Sequence, residues 1–310
     1  KILISKAFSF LYFIVLSLTN GTTYQVAGGK MISIENLSFA YSGSSVSALK
    51  NISMEIQDGD FVGIIGASGA GKTTLSCAIN GIIPHHYKGE YYGKVCVNGK
   101  DVFENDPCTI ALELGSVFQD IDSQMTCSVV EDEILFGLEN FGIPKDEIES
   151  RLEWALKETG IENLRSREIS GLSGGQKQKT AVAAILALKP KILVLDEPTG
   201  ELDPASSRNI FRILKDLNES YGMTIVVIEQ KIMLLCEFAK KLAVIDKGSL
   251  KSFGNIRDVL KNSGELSLLG VNYPRAVDFY KSLLSRKMIT PETEICIDTK
   301  EAVSLAGGLL

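Results

Sequence analysis

An α/β fold with a central parallel sheet is predicted by three observations. Short apolar runs rich in β-branched residues, at 61–65, 192–195, 225–228 and 242–245, alternate with helical stretches. A glycine-rich turn follows the first run directly and leads into a helix. The second run ends in two adjacent carboxylates, Asp196 and Glu197. Parallel sheets present chemistry at the carboxyl ends of their strands, and these polar clusters fall at such ends.

From Met31, MISIENLSFAYSG alternates apolar and polar residues and predicts a strand. SALKNISMEIQDGDFVGIIG predicts a second strand, a turn at Asp58-Gly59 and a third, more buried strand. GKVCVNGKDV is a hairpin candidate, because Asn98-Gly99 suits a tight turn with positive φ. From Pro144 the period becomes helical. In PKDEIESRLEWALKETG, Ile148, Leu152, Ala155 and Leu156 share one face, and Gly160 suits the helix end. The pattern is an α/β core with a helical insertion, and a change of character near Ser263 marks a separate C-terminal tail.

The 310 residues suffice for one large domain or two ordinary ones, and 45% hydrophobic content supports a sizeable core. A net charge of -6 argues against nucleic acid as the main partner. Six cysteines without a CxxC pair imply reduced, buried thiols in a reducing compartment. The apolar run 7–18 follows lysines like a secretory h-region and is short for a membrane span. Gly-Gly-Lys ahead of Met31 is what a purine-rich ribosome-binding site would encode. The expectation is that Met31 starts the protein and that residues 1–30 are untranslated leader. A signal or anchor, or the tail of an upstream membrane protein, are the alternatives.

GIIGASGAGKTT carries Gly66-x-x-x-x-Gly71-Lys72-Thr73 between a strand and a helix. Consecutive N–H groups across Gly66, Ala67, Ser68, Gly69, Ala70 and Gly71 would curl around phosphate, and the helix N-terminus at Thr73 and Thr74 adds partial positive charge. Lys72 would neutralise the β- and γ-phosphates, and the Thr73 hydroxyl would bind Mg²⁺. In KILVLDEPTG, Asp196 would hold Mg²⁺ through water, and Glu197 would act as the general base that polarises the attacking water. LSGGQ supplies Ser173, Gly174, Gly175 and Gln176 at the start of another helix. One chain cannot wrap one γ-phosphate with both loops, so this second phosphate-binding turn would serve the nucleotide of another subunit.

With these motifs the chain resembles the ATPase subunits of ATP-binding cassette (ABC) transporters, over residues 31 to about 260. The resemblance implies a P-loop NTPase fold: a RecA-like core, an antiparallel β subdomain and a helical signature subdomain at about 125–175 within an ATPase domain of 31–262. It implies ATP and Mg²⁺ as ligands. It also implies that Tyr41 in FAYSG stacks on adenine, though as a lone aromatic Tyr41 could equally be core. Gln119 in SVFQD would touch Mg²⁺ and the attacking water, and Asp203 in ELDP would cross a dimer interface. A narrower resemblance joins INGIIPHHYKGEYYGKV, the stretch from FQDIDSQMTC to ENFGIP, and the tail from LLGVNYP to DTKEAV. These are similar to ATPases of energy-coupling-factor transporters, which import vitamins and transition-metal ions in bacteria and archaea. Residues 263–310 would then be a small helical tail that helps pair two ATPases. Partners would be a membrane transport subunit and a substrate-capture membrane protein, at the cytoplasmic face of the membrane. His85 and His86 diverge as neighbours and are not expected to bind metal.

TIVVIEQKIM departs from the family at one position. Histidine normally ends this strand, and Gln230 occupies its place. An amide can donate to phosphate but cannot become cationic, so slowed hydrolysis with ATP binding retained is expected. That asymmetry favours pairing with a different ATPase that keeps the histidine. Three other readings stand beside this one. Soluble cassette ATPases of DNA repair or translation carry coiled coils, zinc cysteines or two cassettes, none of which is present in the sequence. The ATPase of another ABC class and a regulatory ATP-binding subunit are the other two.

Overall fold

The computed structural model describes residues 29–308, so the apolar run 7–18 lies outside the described residues. Among the described residues ten strands form two sheets. β1 (Lys30–Tyr41), β2 (Leu49–Gln57), β4 (Gly89–Val97) and β5 (Lys100–Asp101) make an antiparallel sheet in the order β2-β1-β4-β5. β3 (Phe61–Ile65), β6 (Leu114–Val117), β7 (Ile192–Asp196), β8 (Thr224–Ile228), β9 (Lys241–Asp246) and β10 (Ser249–Asn255) make the second, in the order β10-β9-β3-β8-β7-β6. All neighbours in the second sheet are parallel except β9 and β10. Its central strands are buried along their whole length, which is why their sequences show no alternation. The expected hairpin forms between β4 and β5, with positive φ at both Asn98 and Gly99.

One hydrophobic cluster lies between the two sheets, where Ile32, Ile34 and Phe39 of β1 meet Ile64 of β3 and Leu75 of the helix Lys72–Ile79. The opposite face of the parallel sheet is covered by the helices Gly174–Leu186, Pro204–Tyr221 and Ile232–Phe238. A third cluster joins the helices Val130–Asn140 and Lys145–Thr159 to Ala183 and Ala187. In Lys145–Thr159 the buried residues include Leu152, Ala155 and Leu156, and Gly160 ends the helix in the left-handed region, as the pattern predicts. The helical insertion is tied to the core through the helix Gly174–Leu186 and through Trp154, which donates to the Tyr221 hydroxyl at 3.1 Å.

Beyond residue 262 the chain forms the helices Ser263–Leu268, Arg275–Ser285 and Thr299–Gly307. Leu266, Val277, Tyr280 and Ile297 belong to the same cluster as Phe211 and Leu235 of the core, so the tail shares the hydrophobic interior of the ATPase domain. Arg257 fastens it. Its guanidinium donates to both oxygens of Glu301 at 2.6 and 3.1 Å and to the carbonyl of Ile295 at 2.5 Å. None of the six cysteines forms a disulfide; Cys77, Cys236 and Cys296 are buried. Cys96, Cys108 and Cys127 are half-buried, which corrects the expectation that every thiol is enclosed.

Arg257→Met should loosen the tail selectively. Losing a charged, bidentate contact of about 1.5 kcal/mol raises local opening about 10-fold. Hydrogen exchange should show that increase at residues 295–301 while amides of β7 and β8 keep their protection.

Candidate functional site

The loop between β3 and the helix Lys72–Ile79 is shaped by glycine. Gly71 has φ 102°, and a side chain there would meet the Ala48 carbonyl oxygen at 2.6 Å. A Cβ on Gly66 would lie 2.1 Å from the Ile245 carbonyl oxygen, so only hydrogen fits. No side chain caps the helix at Gly71, which leaves its first N–H groups open for an anion. The Lys72 side chain curls back over the loop, and its buried ammonium donates to the carbonyls of Gly66 at 2.9 Å and Ala67 at 3.1 Å. Those are weak substitutes for phosphate oxygens, and a phosphate in the loop would compete for the same donors.

Asp196 and Glu197 stand side by side at the end of β7 in unlike surroundings. Asp196 is 2% exposed, and its Oδ1 has no partner. Burial pushes its carboxyl up to about 6, against the pull of a hydrogen bond from Thr73. Burial likewise pushes the neighbouring Cys77 thiol up to about 12, so it stays neutral. Glu197 is partly open to solvent and has φ 49°, a left-handed conformation that costs an L-residue about 1–2 kcal/mol. Its N–H donates to the Ile228 carbonyl at 2.8 Å. Two amides grip its carboxylate: Gln230 Nε2 donates to Oε1 at 2.7 Å, and Gln119 Nε2 donates to Oε2 at 3.0 Å. Gln119 follows β6, Glu197 follows β7 and Gln230 follows β8, so neighbouring strands deliver all three.

The other expected residues stand further out. The half-buried Tyr41 shares a hydrogen bond with the Thr74 hydroxyl at 3.1 Å and sets its ring edge-on to Phe39 and Tyr87. Tyr41 is therefore both packed and adjacent to the phosphate-loop helix. Ser173 caps the helix Gly174–Leu186: its hydroxyl accepts from the Gln176 N–H at 3.4 Å, and the Gln176 side chain accepts from the Ser173 N–H at 2.9 Å. Among the described residues no hydrogen bond joins this turn to the loop 66–74. Asp203 caps the helix Pro204–Tyr221 by accepting from Ala205 and Ser206, which holds its carboxyl below the usual carboxylate range. His85 Nε2 lies 2.8 Å from the Val102 carbonyl, and no cluster of metal-binding side chains occurs among the described residues.

A family model described as ABC transporter matches residues 49–200. An ABC transporter ATP-binding protein of Pyrococcus horikoshii is 39% identical over 259 residues, 84% of this chain and 91% of that protein. The energy-coupling factor transporter ATP-binding protein EcfA1 of Ligilactobacillus salivarius is 36% identical over 263 residues, 85% of this chain and 91% of its own length. Among solved structures, cbiO1 from Clostridium perfringens, part of the ABC transporter complex cbiONQ, superposes with a TM-score of 0.69 at 32% identity, covering 80% of this chain and 97% of cbiO1. This chain is an ABC transporter ATP-binding protein. It is an ATPase of the P-loop fold, and its class works as dimers with membrane subunits. No helix among the described residues is long and apolar enough to cross a membrane.

Sequence reading missed two residues of this cassette. Glu229 is 1% exposed and accepts from the Thr199 hydroxyl and from the N–H groups of Gln230 and Lys231. Lys231 reaches the turn after β7. The only signal was a run of three polar residues after a fully buried strand.

An orphaned, buried carboxylate oxygen beside a threonine hydroxyl is the donor set a hard divalent cation takes, so Asp196 and Thr73 fit Mg²⁺. Without the cation the ionised Asp196 opposes folding, since its folded pKa lies above the unfolded value. The penalty is full above about pH 6 and fades as pH falls toward 4. Asp196→Asn should raise the melting temperature of the nucleotide-free chain by about 2–4 °C per kcal/mol relieved. Calorimetry at pH 8 and pH 5 should find the gain smaller at pH 5.

Proposed function

We propose that this cassette hydrolyses ATP to drive an energy-coupling-factor type importer of a vitamin or transition-metal ion. The observation that carries the catalytic part is Glu197 held between the amides of Gln119 and Gln230, beside the buried Asp196. In this reading the open N–H groups of loop 66–74 and Lys72 hold the phosphates, and Tyr41 packs against adenine. Mg²⁺, held through Thr73, Asp196 and Gln119, would neutralise charge on the β- and γ-phosphate oxygens. Glu197 is the general base. Each of its oxygens accepts one N–H, which fixes the carboxylate plane while leaving lone pairs to take a proton from water. The similarity to EcfA1 and to cbiO1 supports the importer type. An apolar cavity of about 160 Å³ lies between β6 and the helical insertion, with Phe118, Met125 and Phe136 in its wall. It lies just beyond Gln119 and suits a membrane subunit that senses the nucleotide through that residue.

Gln230 supports a heterodimer. A neutral amide already supplies the donor to Glu197, yet it adds no positive charge toward the γ-phosphate. A partner with an intact histidine would own the fast site, completed by Ser173–Gln176 of this chain. Gln230→His should raise ATP turnover by about 10-fold with KM for ATP within about 3-fold. Glu197→Gln should cost about 100-fold in kcat while ATP binding persists. Steady-state ATPase assays of the purified complex read both. Retained turnover in Glu197→Gln would overturn the assignment of the base.

A further inference from the structure

The segment between Glu197 and the helix Pro204–Tyr221 is held from β8 by a pair of side chains that no catalytic role uses. Lys231, the third residue after β8, spends all three ammonium protons there. It donates to the Thr199 carbonyl at 2.5 Å, the Leu202 carbonyl at 3.0 Å and the Ser207 hydroxyl at 3.0 Å. Thr199 is fully buried and is gripped a second time, through its hydroxyl, by the buried carboxylate of Glu229. The same segment leans on the signature turn. A Cβ added to Gly174 would sit 3.4 Å from the Leu202 side chain, and one on Gly175 would sit 3.2 Å from the Ser206 hydroxyl. One unbroken set of contacts therefore runs from the end of β8, which carries Gln230, through residues 199–207 to the signature turn.

We propose that Lys231 is a positioning residue for ATP hydrolysis: with Glu229 it latches residues 199–207 to β8, and so fixes Glu197, Asp203 and the signature turn relative to one another. This deepens the catalytic reading above and rests on it. An ammonium suits the task because its three donors converge on three acceptors from different residues. Two of those acceptors are main-chain carbonyls, whose position no side-chain change in the segment removes. The latch touches neither nucleotide loop nor phosphate, so it acts on geometry during turnover and leaves ATP affinity alone. A displacement of about 1 Å at a reacting group is enough to cost up to about 100-fold in rate.

The test compares wild type, Lys231→Met and Lys231→Arg as the full chain, in complex with its ATPase partner, with MgATP as the probe. Lys231→Met should lower kcat by about 10-fold, with KM and the dissociation constant for ATP within about 2-fold, and Lys231→Arg should recover most of the loss. Hydrogen exchange at 199–207 should rise in Lys231→Met while the loop 66–74 is unaffected. Unchanged kcat in Lys231→Met overturns the proposal, and so does a loss carried by ATP affinity. If Lys231→Met does not fold, Ser207→Ala removes one of the three acceptors. A fall of about 2- to 5-fold in kcat at an unaltered melting temperature then supports the latch, and no fall overturns it. A wild-type complex that binds but never hydrolyses ATP would instead defeat the functional reading, a result separable from the exchange data on the latch.

Discussion

The site depends on the register of three neighbouring strands. Asp196 of β7 pairs with Ile228 of β8, and Val117 of β6 pairs with Leu195 of β7. That register puts Gln119 and Gln230, each two residues past its strand, within hydrogen-bonding reach of Glu197, one residue past its own. A slip of one residue would move a strand end by about 3.3 Å and turn its side chains to the opposite face. Either error breaks contacts of 2.7 and 3.0 Å. The buried sheet and the backbone bond from Glu197 to Ile228 hold the strained conformation of Glu197 in place, so fold and chemistry share one constraint.

How much of this was legible in the sequence follows from how local each signal is. The phosphate loop, the Asp196-Glu197 pair and the signature turn were readable because a few adjacent residues carry their chemistry. Most strands were readable for the same reason, with β3 matching its expected bounds, whereas β6 and β10 were not anticipated. Gln119 and Gln230 were reached only through family resemblance, and nothing in composition or spacing brings their amides to the same carboxylate. Glu229 and Lys231 were illegible as a latch, since their partners lie between 24 and 32 residues away. The tail was read as a change of character, but its sharing of the core's interior requires long-range packing that no periodicity reports.

Asp196 and Glu197 divide two tasks by environment. The desolvated Asp196, with one unpaired oxygen, is poorly accommodated until a cation arrives, which turns an unfavourable burial into cation affinity. Glu197, more exposed and hydrogen-bonded at both oxygens, is steadied without such a debt. Asp196 is the last residue of β7 and Glu197 leaves the strand in a left-handed conformation, so the two carboxylates sit in different solvent environments, as the proposed split between cation ligand and base requires.

The capping box at Ser173 bears on how two chains would cooperate. In the single chain the Ser173 hydroxyl accepts from the helix and the Gln176 amide oxygen accepts from Ser173, which looks like a purely structural cap. A hydroxyl has one proton to donate as well as lone pairs to accept, and the cap uses only the acceptor side. The amide nitrogen of Gln176 is likewise a donor that the cap does not consume. The turn is therefore preorganised: its backbone is locked by the cap, while its donors remain for the anion that the proposed dimer would bring to it. Locking a loop before its ligand arrives lowers the ordering cost at the moment of binding. In the proposed reading a cap and a phosphate-binding turn are one arrangement of the same four residues, and the closeness of Leu202 and Ser206 to Gly174 and Gly175 ties that arrangement to the segment that follows Glu197.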